Sequence, residues 1–421
     1  MGYNSFVGSF NIDPAKLATE TQAITGVGFQ PAIVMFWWGG STGTVDTVAG
    51  GTINIGFGAA ISSTSRFCLM GISVDALATS DAQYSQSITE IMRAYTDVAT
   101  LDGILDFSSM DAGGFTVIYD DQFTQAYRIS YLALGGTDLT NVFIGNRATP
   151  TTTGNYSTTG VGFQPDALIT LMAPADAMPK IGANIGFSLG MATGSSNLGI
   201  VSVESSDAQA TSLTSGYGYN GEIIATRSLT IRNSFVSFDA DGFTLNQLEG
   251  TLARYYCYIC LKGGQYSVGD ITTRTDGNDI AETVGFTPVA LLFASANRAL
   301  STQDTITAHN RLSIGAGTST SNRACAAISD ENNLADTETA YANYDSAVYA
   351  NVADDAIVGL MDIKSIDSSG FTCVMDDFDP VACWVTYLAI GAVAAAGQPM
   401  NARGVRVPGM RQWQPGRGPG F

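Results

Sequence analysis

The chain has 421 residues, of which 45% are hydrophobic and 14% charged. This apolar content is enough for folded cores and excludes global disorder, and the length suits about three domains of ~100–200 residues each. The formal net charge of −19 repels nucleic acid and anionic membranes, so neither is an expected partner of the body of the protein.

Six scattered cysteines lie mostly within apolar runs. In a chain of this size they are expected to be free core residues, not a disulfide framework. The N-terminal residues lack the basic and apolar regions of a signal peptide. No run of about 18 apolar residues is present, so no membrane span is predicted.

The first strong element is a turn followed by an apolar run. GVGFQP at residues 26–31 precedes the apolar residues 32–38, and the same motif returns at 160–165 and, as TVGFTP, at 283–288. A run that is apolar at nearly every position is typical of a central strand covered on both faces. The motif therefore predicts one such strand in each of three repeats.

The repeat period follows from a second motif, in which Gly-Phe-Thr comes after an acidic turn. Its glycines are Gly114, Gly242 and Gly370, 128 residues apart. We expect each glycine to supply the positive φ of a hairpin turn. Three weaker anchors also recur: an opening strand with Gly8, Gly145 and Gly269, a middle strand with Gly56, Gly186 and Gly315, and a closing aromatic strand beginning at Tyr131, Tyr258 and Tyr387.

Short runs rich in Phe, Tyr, Val, Ile and Thr, separated by Gly, Asp, Ser and Asn, predict strands throughout. Only residues 87–94 resemble a helix. The predicted fold is all-β, with three tandem β-sandwich or jelly-roll-like domains at residues 1–136, 137–264 and 265–394.

Residues 395–421 differ in kind, because they are rich in Gly and Pro and contain arginines but no acid. They predict an extended basic arm that binds an acidic surface of a neighbouring or identical subunit. The predicted contact residues are Arg403, Arg406, Arg411, Trp413, Arg417 and Phe421, with the two aromatic residues as anchors.

Several short patterns admit a chemical interpretation. GFSLG at residues 186–190, with the single histidine His309 downstream, matches a nucleophile elbow, and GYGYNG at 216–221 matches a dinucleotide-binding loop. Both lie in strand-like segments without the required helix. Cys257 and Cys260 resemble half a metal site, but residues three apart on a strand face opposite ways.

Three acidic pairs and a tryptophan pair also admit more than one interpretation. Residues 120–121, 354–355 and 376–377 are Asp pairs that suit Ca²⁺ or a glycosidase, although solvated turns are the simpler interpretation. Trp37 and Trp38 suit a sugar platform or, more simply, core packing. The sequence thus predicts no catalytic, cofactor-binding or metal-binding residue, and Ca²⁺ is the one ion left open.

The GFQP motif, clearest at residues 160–172, resembles a motif of virion structural proteins of tailed bacteriophages, where it leads into a strand of a β-rich module. The first repeat has Ala32 and the third Val289 where Asp166 stands, and Thr287 replaces Gln in the third. The resemblance implies a module and carries over no catalytic residue.

Together these observations predict a non-enzymatic phage virion protein, assembled in the host cytoplasm, that decorates or cements the particle. Its expected partners are capsid or tail subunits and copies of itself. One alternative is a tail-associated, lectin-like receptor-binding protein. Another is a repeat-built glycan hydrolase, which requires a carboxylate pair at glycosidase spacing.

Overall fold

A computed structural model describes residues 2–226, 230–301 and 305–393. Within these ranges the chain forms 33 strands and no helix, which confirms the all-β prediction. No helix that could span a membrane occurs in the same ranges.

Each repeat supplies eleven strands. The first repeat contains β1 (Tyr3–Asn11), β2 (Thr21–Thr25), β3 (Ile33–Trp38), β4 (Thr47–Gly50), β5 (Ile53–Ser62), β6 (Ser65–Ser73), β7 (Ala82–Ser87), β8 (Met92–Asp97), β9 (Thr100–Asp111), β10 (Gly114–Asp121) and β11 (Arg128–Gly136). The second contains β12 (Asn141–Ala148), β13 (Gly154–Thr159), β14 (Ala167–Met172), β15 (Lys180–Ala183), β16 (Ile185–Gly194), β17 (Asn197–Ser205), β18 (Thr214–Tyr219), β19 (Ile224–Ala225), β20 (Ile231–Asp239), β21 (Gly242–Gly250) and β22 (Tyr255–Lys262). The third contains β23 (Gln265–Thr272), β24 (Ile280–Thr283), β25 (Pro288–Ser295), β26 (Thr307–Ala308), β27 (Asn310–Gly317), β28 (Arg323–Asp330), β29 (Thr339–Tyr344), β30 (Tyr349–Ala353), β31 (Ala356–Asp367), β32 (Gly370–Asp377) and β33 (Trp384–Gly391).

Every repeat builds one large and one small antiparallel sheet. In the first repeat the large sheet has the order β1-β11-β3-β5-β6-β7 and the small one β2-β10-β9-β8, and the other two repeats follow the same order. The two sheets enclose an apolar core, as in a β-sandwich. Between adjacent repeats the chain runs from β11 to β12 and from β22 to β23.

The seventh strand of each large sheet comes from a different repeat. Strand β15 pairs with β7, β26 pairs with β18, and β4 pairs with β29. The second repeat thus contributes a strand to the sheet of the first, the third to that of the second, and the first to that of the third. This pairing closes the three tandem repeats into a ring with pseudo-threefold order.

The buried strand after the GFxP motif serves two cores at once. Its alternate residues Met35 and Trp37 lie in a central core shared by all three repeats, whereas Phe36 and Trp38 lie in the sandwich core of the first repeat. The shared core also contains Leu171 from β14. Two apolar faces explain why the run carries no polar position, and the predicted two-sided burial is confirmed.

The GFxP turn connects the β9–β10 hairpin to the start of this buried strand. Gly28, Gly162 and Gly285 have φ values of 85°, 85° and 87°, a region that favours glycine. The Gln30 side-chain amide donates to the Met110 carbonyl at 2.8 Å, across the hairpin of β9 and β10. The GFxP motif therefore connects its own turn to the hairpin of β9 and β10.

The glycines of the Gly-Phe-Thr motif are needed for a reason other than the one predicted. Only Gly242 has a positive φ, of 136°. A Cβ on Gly114, Gly242 or Gly370 would lie 2.0, 2.0 or 1.9 Å from a carbonyl oxygen of the adjacent strand. Close approach of two backbones excludes a side chain there, whatever the turn conformation.

The middle anchor of the repeats is shifted from the predicted one. Gly58, Gly190 and Gly315 pair with equivalent positions of β3, β14 and β25. A Cβ on each would lie 2.0, 1.9 or 2.1 Å from the carbonyl oxygen of the residue that directly precedes β8, β19 or β30 of the small sheet. Gly56 and Gly186 are therefore not the equivalents of Gly315, because unequal loops shift the numbering.

Candidate functional site

The predicted partner-binding residues of the arm lie outside the described residues. They are Arg403, Arg406, Arg411, Trp413, Arg417 and Phe421. The last described residue, Val393, is 52% exposed, and its main-chain N–H donates to the Asp138 carboxylate at 2.9 Å. The chain thus leaves the described body beside the segment that joins the first two repeats.

The motifs with a possible catalytic meaning are parts of strands. Ser188 is buried within β16 and lies 3.5 Å from the Ala225 main-chain nitrogen. His309, in the third repeat, is paired with Glu331. Residues 216–219 of the GYGYNG pattern belong to β18, which pairs with β17. Neither pattern has the helix that its chemistry requires.

The cysteine and tryptophan pairs are core residues, as the simpler interpretations predict. Cys257 lies in the shared core and Cys260 in the second sandwich core, so the two thiols face opposite sides of β22. Burial raises the pKa of the Cys257 thiol to about 12. Trp37 and Trp38 are both fully buried, which excludes a surface sugar platform.

The acidic pairs are exposed. Asp354 and Asp355 form the turn between β30 and β31, and residues 120–121 and 376–377 end the strands β10 and β32. Within the described ranges no three His, Cys, Asp or Glu side chains come together to hold a metal.

A buried hydroxyl joins each pair of repeats in an arrangement that we call a clasp. In the first clasp, Ser80 inserts into the turn at residues 206–209 of the second repeat. Its Oγ donates to the Ser206 carbonyl at 2.7 Å and accepts from the Gln209 main-chain N–H at 2.9 Å. Its own main-chain groups pair with Gln209 and Ala208 at 2.9 and 2.8 Å.

The same four hydrogen bonds recur at the other two junctions. They involve Ser212 with Glu331, Asn333 and Leu334, and Thr337 with Val74, Ala76 and Leu77. The inserted hydroxyl thus runs from first to second, second to third and third to first repeat. Each junction therefore has a donated strand in one direction and a clasp in the other.

A repeated tetrapeptide in the sequence indicates one of the three clasps. The tetrapeptide SDAQ occurs at residues 80–83 and 206–209, and the structure brings these two copies into contact. They are partners across a junction, not equivalent positions of two repeats. The third junction uses Thr337 in place of Ser, so no motif identifies all three clasps.

Three grooves occupy equivalent places in the three repeats. Gly40, Pro174 and Asn297 each stand two residues after the buried strand of their repeat, and each lines one groove. We name them groove A, lined by the first and third repeats, groove B, lined by the second repeat and Ile306 of the third, and groove C, lined by the third repeat. Their volumes are about 340, 500 and 230 Å³.

The walls of the grooves differ in chemistry. Groove A is uncharged and lined by Gly40, Thr42, Thr52, Asn54, Tyr95, Thr96, Gln125, Tyr127 and Tyr341. Groove B contains Glu204 and Arg254, and groove C contains Arg298, His309 and Arg311. Burial lowers the pKa of the His309 imidazole and Glu331 opposes this shift.

The wall of groove A is rigid and neutral. The Asn54 side chain holds both main-chain groups of Tyr95, with its Nδ2 and Oδ1 each at 2.9 Å. Burial raises the pKa of the Tyr127 hydroxyl, and the nearby Asp102 carboxylate raises it further. The groove therefore offers hydroxyl, amide and aromatic groups without charge.

No family model and no curated protein matches the chain.

Proposed function

We propose that this chain is a non-enzymatic structural protein of a tailed-bacteriophage virion that decorates or cements the particle surface. Its partners are capsid or tail subunits and copies of itself, and it assembles in the host cytoplasm. The observation that carries the proposal is the closed ring of repeats, in which the glycines, clasps and buried strands build rigidity and the motifs with a catalytic meaning are strand positions.

Charge supports attachment through the arm. The arm carries Arg403, Arg406, Arg411 and Arg417 and no acid, so the remaining residues 1–394 have a net charge of −23, against −19 for the whole chain. A basic arm on an acidic body suits an acidic partner surface, including that of a second copy. Several weak arm contacts added to a rigid body raise avidity without enlarging the core.

Removing the arm tests the proposal. Particles assembled with a chain that lacks residues 397–421 are expected to lose most of this protein on purification, whereas full-length chains stay bound. Full occupancy without the arm contradicts the cement function. Locating the labelled protein on particles by electron microscopy separates a head position from a tail position.

A matched variant separates charge from anchoring. Replacing the four arm arginines with Gln should lower occupancy and reduce its dependence on salt, because fewer ion contacts remain. Arg274→Gln, which removes an exposed body arginine paired with Asp276, is the control and should leave occupancy unchanged.

Groove A favours a second candidate, a tail-associated, lectin-like receptor-binding protein. Neutral hydroxyl, amide and aromatic groups at an open groove suit a neutral oligosaccharide. An array of bacterial surface glycans tests this candidate, with Tyr341→Ala expected to abolish any binding. Tyr344→Ala, on the same strand but outside the groove, is the control. The absence of glycan affinity in the wild-type chain would exclude the candidate.

A further inference from the structure

The three repeats meet at one polar layer, where their large sheets end beside the clasps. Ser73, Ser205 and Asp330 are the last residues of β6, β17 and β28, and each directly precedes the turn that receives a clasp. The third repeat thus places a carboxyl group where the other two place a hydroxyl. The opposing strand differs as well, since Asn310 stands where the first two repeats have Ile53 and Ile185.

Asp330 is connected to all three repeats. It is 1% exposed, and the Ser205 Oγ donates to its Oδ2 at 2.5 Å. The Thr214 Oγ1 donates to its main-chain carbonyl at 2.8 Å. The Ser73 hydroxyl of the first repeat lies near enough to the carboxyl group to lower its pKa. The Asn310 Nδ2 donates to the Ser205 Oγ at 2.9 Å and completes the network.

Among the residues that the structure describes, no cation pairs with the Asp330 carboxyl group. The charged groups that act on Asp330 are Glu331, next in the chain, and Asp75 of the first repeat, and both are acids. Arg311 of β27 is engaged by Glu331 at 2.7 Å, and His309, which precedes Asn310, is paired with the same carboxylate. β17, β18 and β27 contribute Ser205, Thr214 and Asn310, which do not titrate. An ionised Asp330 would therefore be a buried charge without compensation.

Two oxygen atoms of this layer have no hydrogen-bond partner: Oδ1 of Asp330 and Oδ1 of Asn310. The two residues face each other directly in the β27–β28 register. Two opposed acceptors are both satisfied if one of them carries a proton, because a protonated carboxyl is a donor. A single proton on the Asp330 carboxyl group thus removes the uncompensated charge and also supplies the missing hydrogen bond.

We propose that Asp330 closes the ring as a neutral carboxylic acid, which donates its proton to Asn310, and that loss of this proton weakens the joint of the three repeats. Burial raises the pKa of the Asp330 carboxyl to about 7, against the lowering effect of the Ser205 and Ser73 hydroxyls. An unfolded Asp titrates near pH ~3.9. Because the folded pKa is the higher one, the stabilisation is complete below about pH 4 and is lost as pH rises to about 7.

Thermal unfolding of the full chain between about pH 4 and pH 9 tests this inference. The wild type should lose stability relative to Asp330→Asn as pH rises to about 7, and the difference should be constant above about pH 8. Asp336→Asn, which removes an exposed acid of a neighbouring turn, should retain the wild-type pH dependence. A wild-type profile parallel to that of Asp330→Asn at every pH would overturn the proposal.

A spectroscopic measurement on the wild-type chain covers the case in which the variant does not fold. The infrared carbonyl band of a buried, protonated carboxyl group should be present at about pH 5 and disappear with a midpoint near pH 7. Asp330→Ser, which introduces the residue of the other two repeats, should lack the band. An ionised Asp330 at about pH 5 would contradict the proposal.

Discussion

Single residues decide where the backbone of this protein can pack closely. Gly58, Gly190 and Gly315 let a strand of the large sheet lie against a carbonyl at the entry to the small sheet, at a distance no side chain tolerates. At the clasps a side chain is required, not excluded. The Ser80 Oγ both donates and accepts a hydrogen bond in the turn at residues 206–209. At each buried junction, one hydroxyl side chain therefore supplies hydrogen bonds to the main chain of the neighbouring repeat.

Removing a clasp hydroxyl should destabilise the protein. Ser80→Ala removes the hydrogen bonds that the hydroxyl forms with the Gln209 N–H and the Ser206 carbonyl, at a cost of about 1–3 kcal/mol in the free energy of unfolding. Urea unfolding of the full chain measures this change. Thr79→Ala, at the exposed neighbouring position, is the control and should lie within about 0.5 kcal/mol of the wild type. Equal stability of the two variants would contradict a stabilising role of the clasp.

At the scale of elements, the donated strands protect sheet edges. Strand β15 covers the edge of β7, and Ile181 at its centre is 46% exposed. The strand therefore contributes mainly through its ladder of backbone hydrogen bonds and buries little apolar surface. An uncovered edge of β7 would present free N–H and C=O groups to other chains.

Replacing the residues of β15, Lys180–Ala183, with Gly and Ser should weaken this pairing. We expect a lower unfolding temperature and concentration-dependent aggregation, because β7 becomes an open edge. Calorimetry and light scattering measure the two effects. The same replacement at residues 151–153, an exposed segment between β12 and β13, should change neither. Unchanged aggregation in the β15 variant would mean that the edge is protected in another way.

At the scale of the whole molecule, the ring is closed by contacts between its first and last repeats. Strand β4 pairs with β29, and Arg128 forms an ion pair with Asp345. The Asn322 side chain holds the N–H and the carbonyl of Val7 in the same way as a neighbouring strand would. Each repeat thus contacts both others, and the central core belongs to all three.

A single cut between repeats should leave the ring intact. A protease site inserted between Thr137 and Asp138, followed by cleavage, should give two fragments that co-elute at the size of the uncut protein. The first repeat remains held at both junctions through two donated strands and two clasps. Cleaved protein passed over the same column in denaturant is the control, in which the fragments must separate. Separation without denaturant would contradict the closed ring.

The sequence by itself determined the features that depend on residues close together within one repeat. The uninterrupted apolar run made residues 32–38 recognisable as a central strand buried on both faces, and the glycine turn before it followed from local backbone sterics. Core cysteines and buried tryptophans followed from their apolar surroundings. These features depend on neighbours a few residues away, so a pattern in the sequence records them.

Only the tertiary structure decided how the repeats join. The three clasp residues, Ser80, Ser212 and Thr337, are unequally spaced and are not all of one type, because either a Ser or a Thr hydroxyl satisfies the same turn. Donation of β4 to β29 joins residues that are about 290 positions apart, and backbone hydrogen bonds of this kind leave little trace in side-chain identity. The ring, its grooves and the buried Asp330 layer arise where distant segments meet, and there the physics of burial and hydrogen bonding acts on the assembled fold.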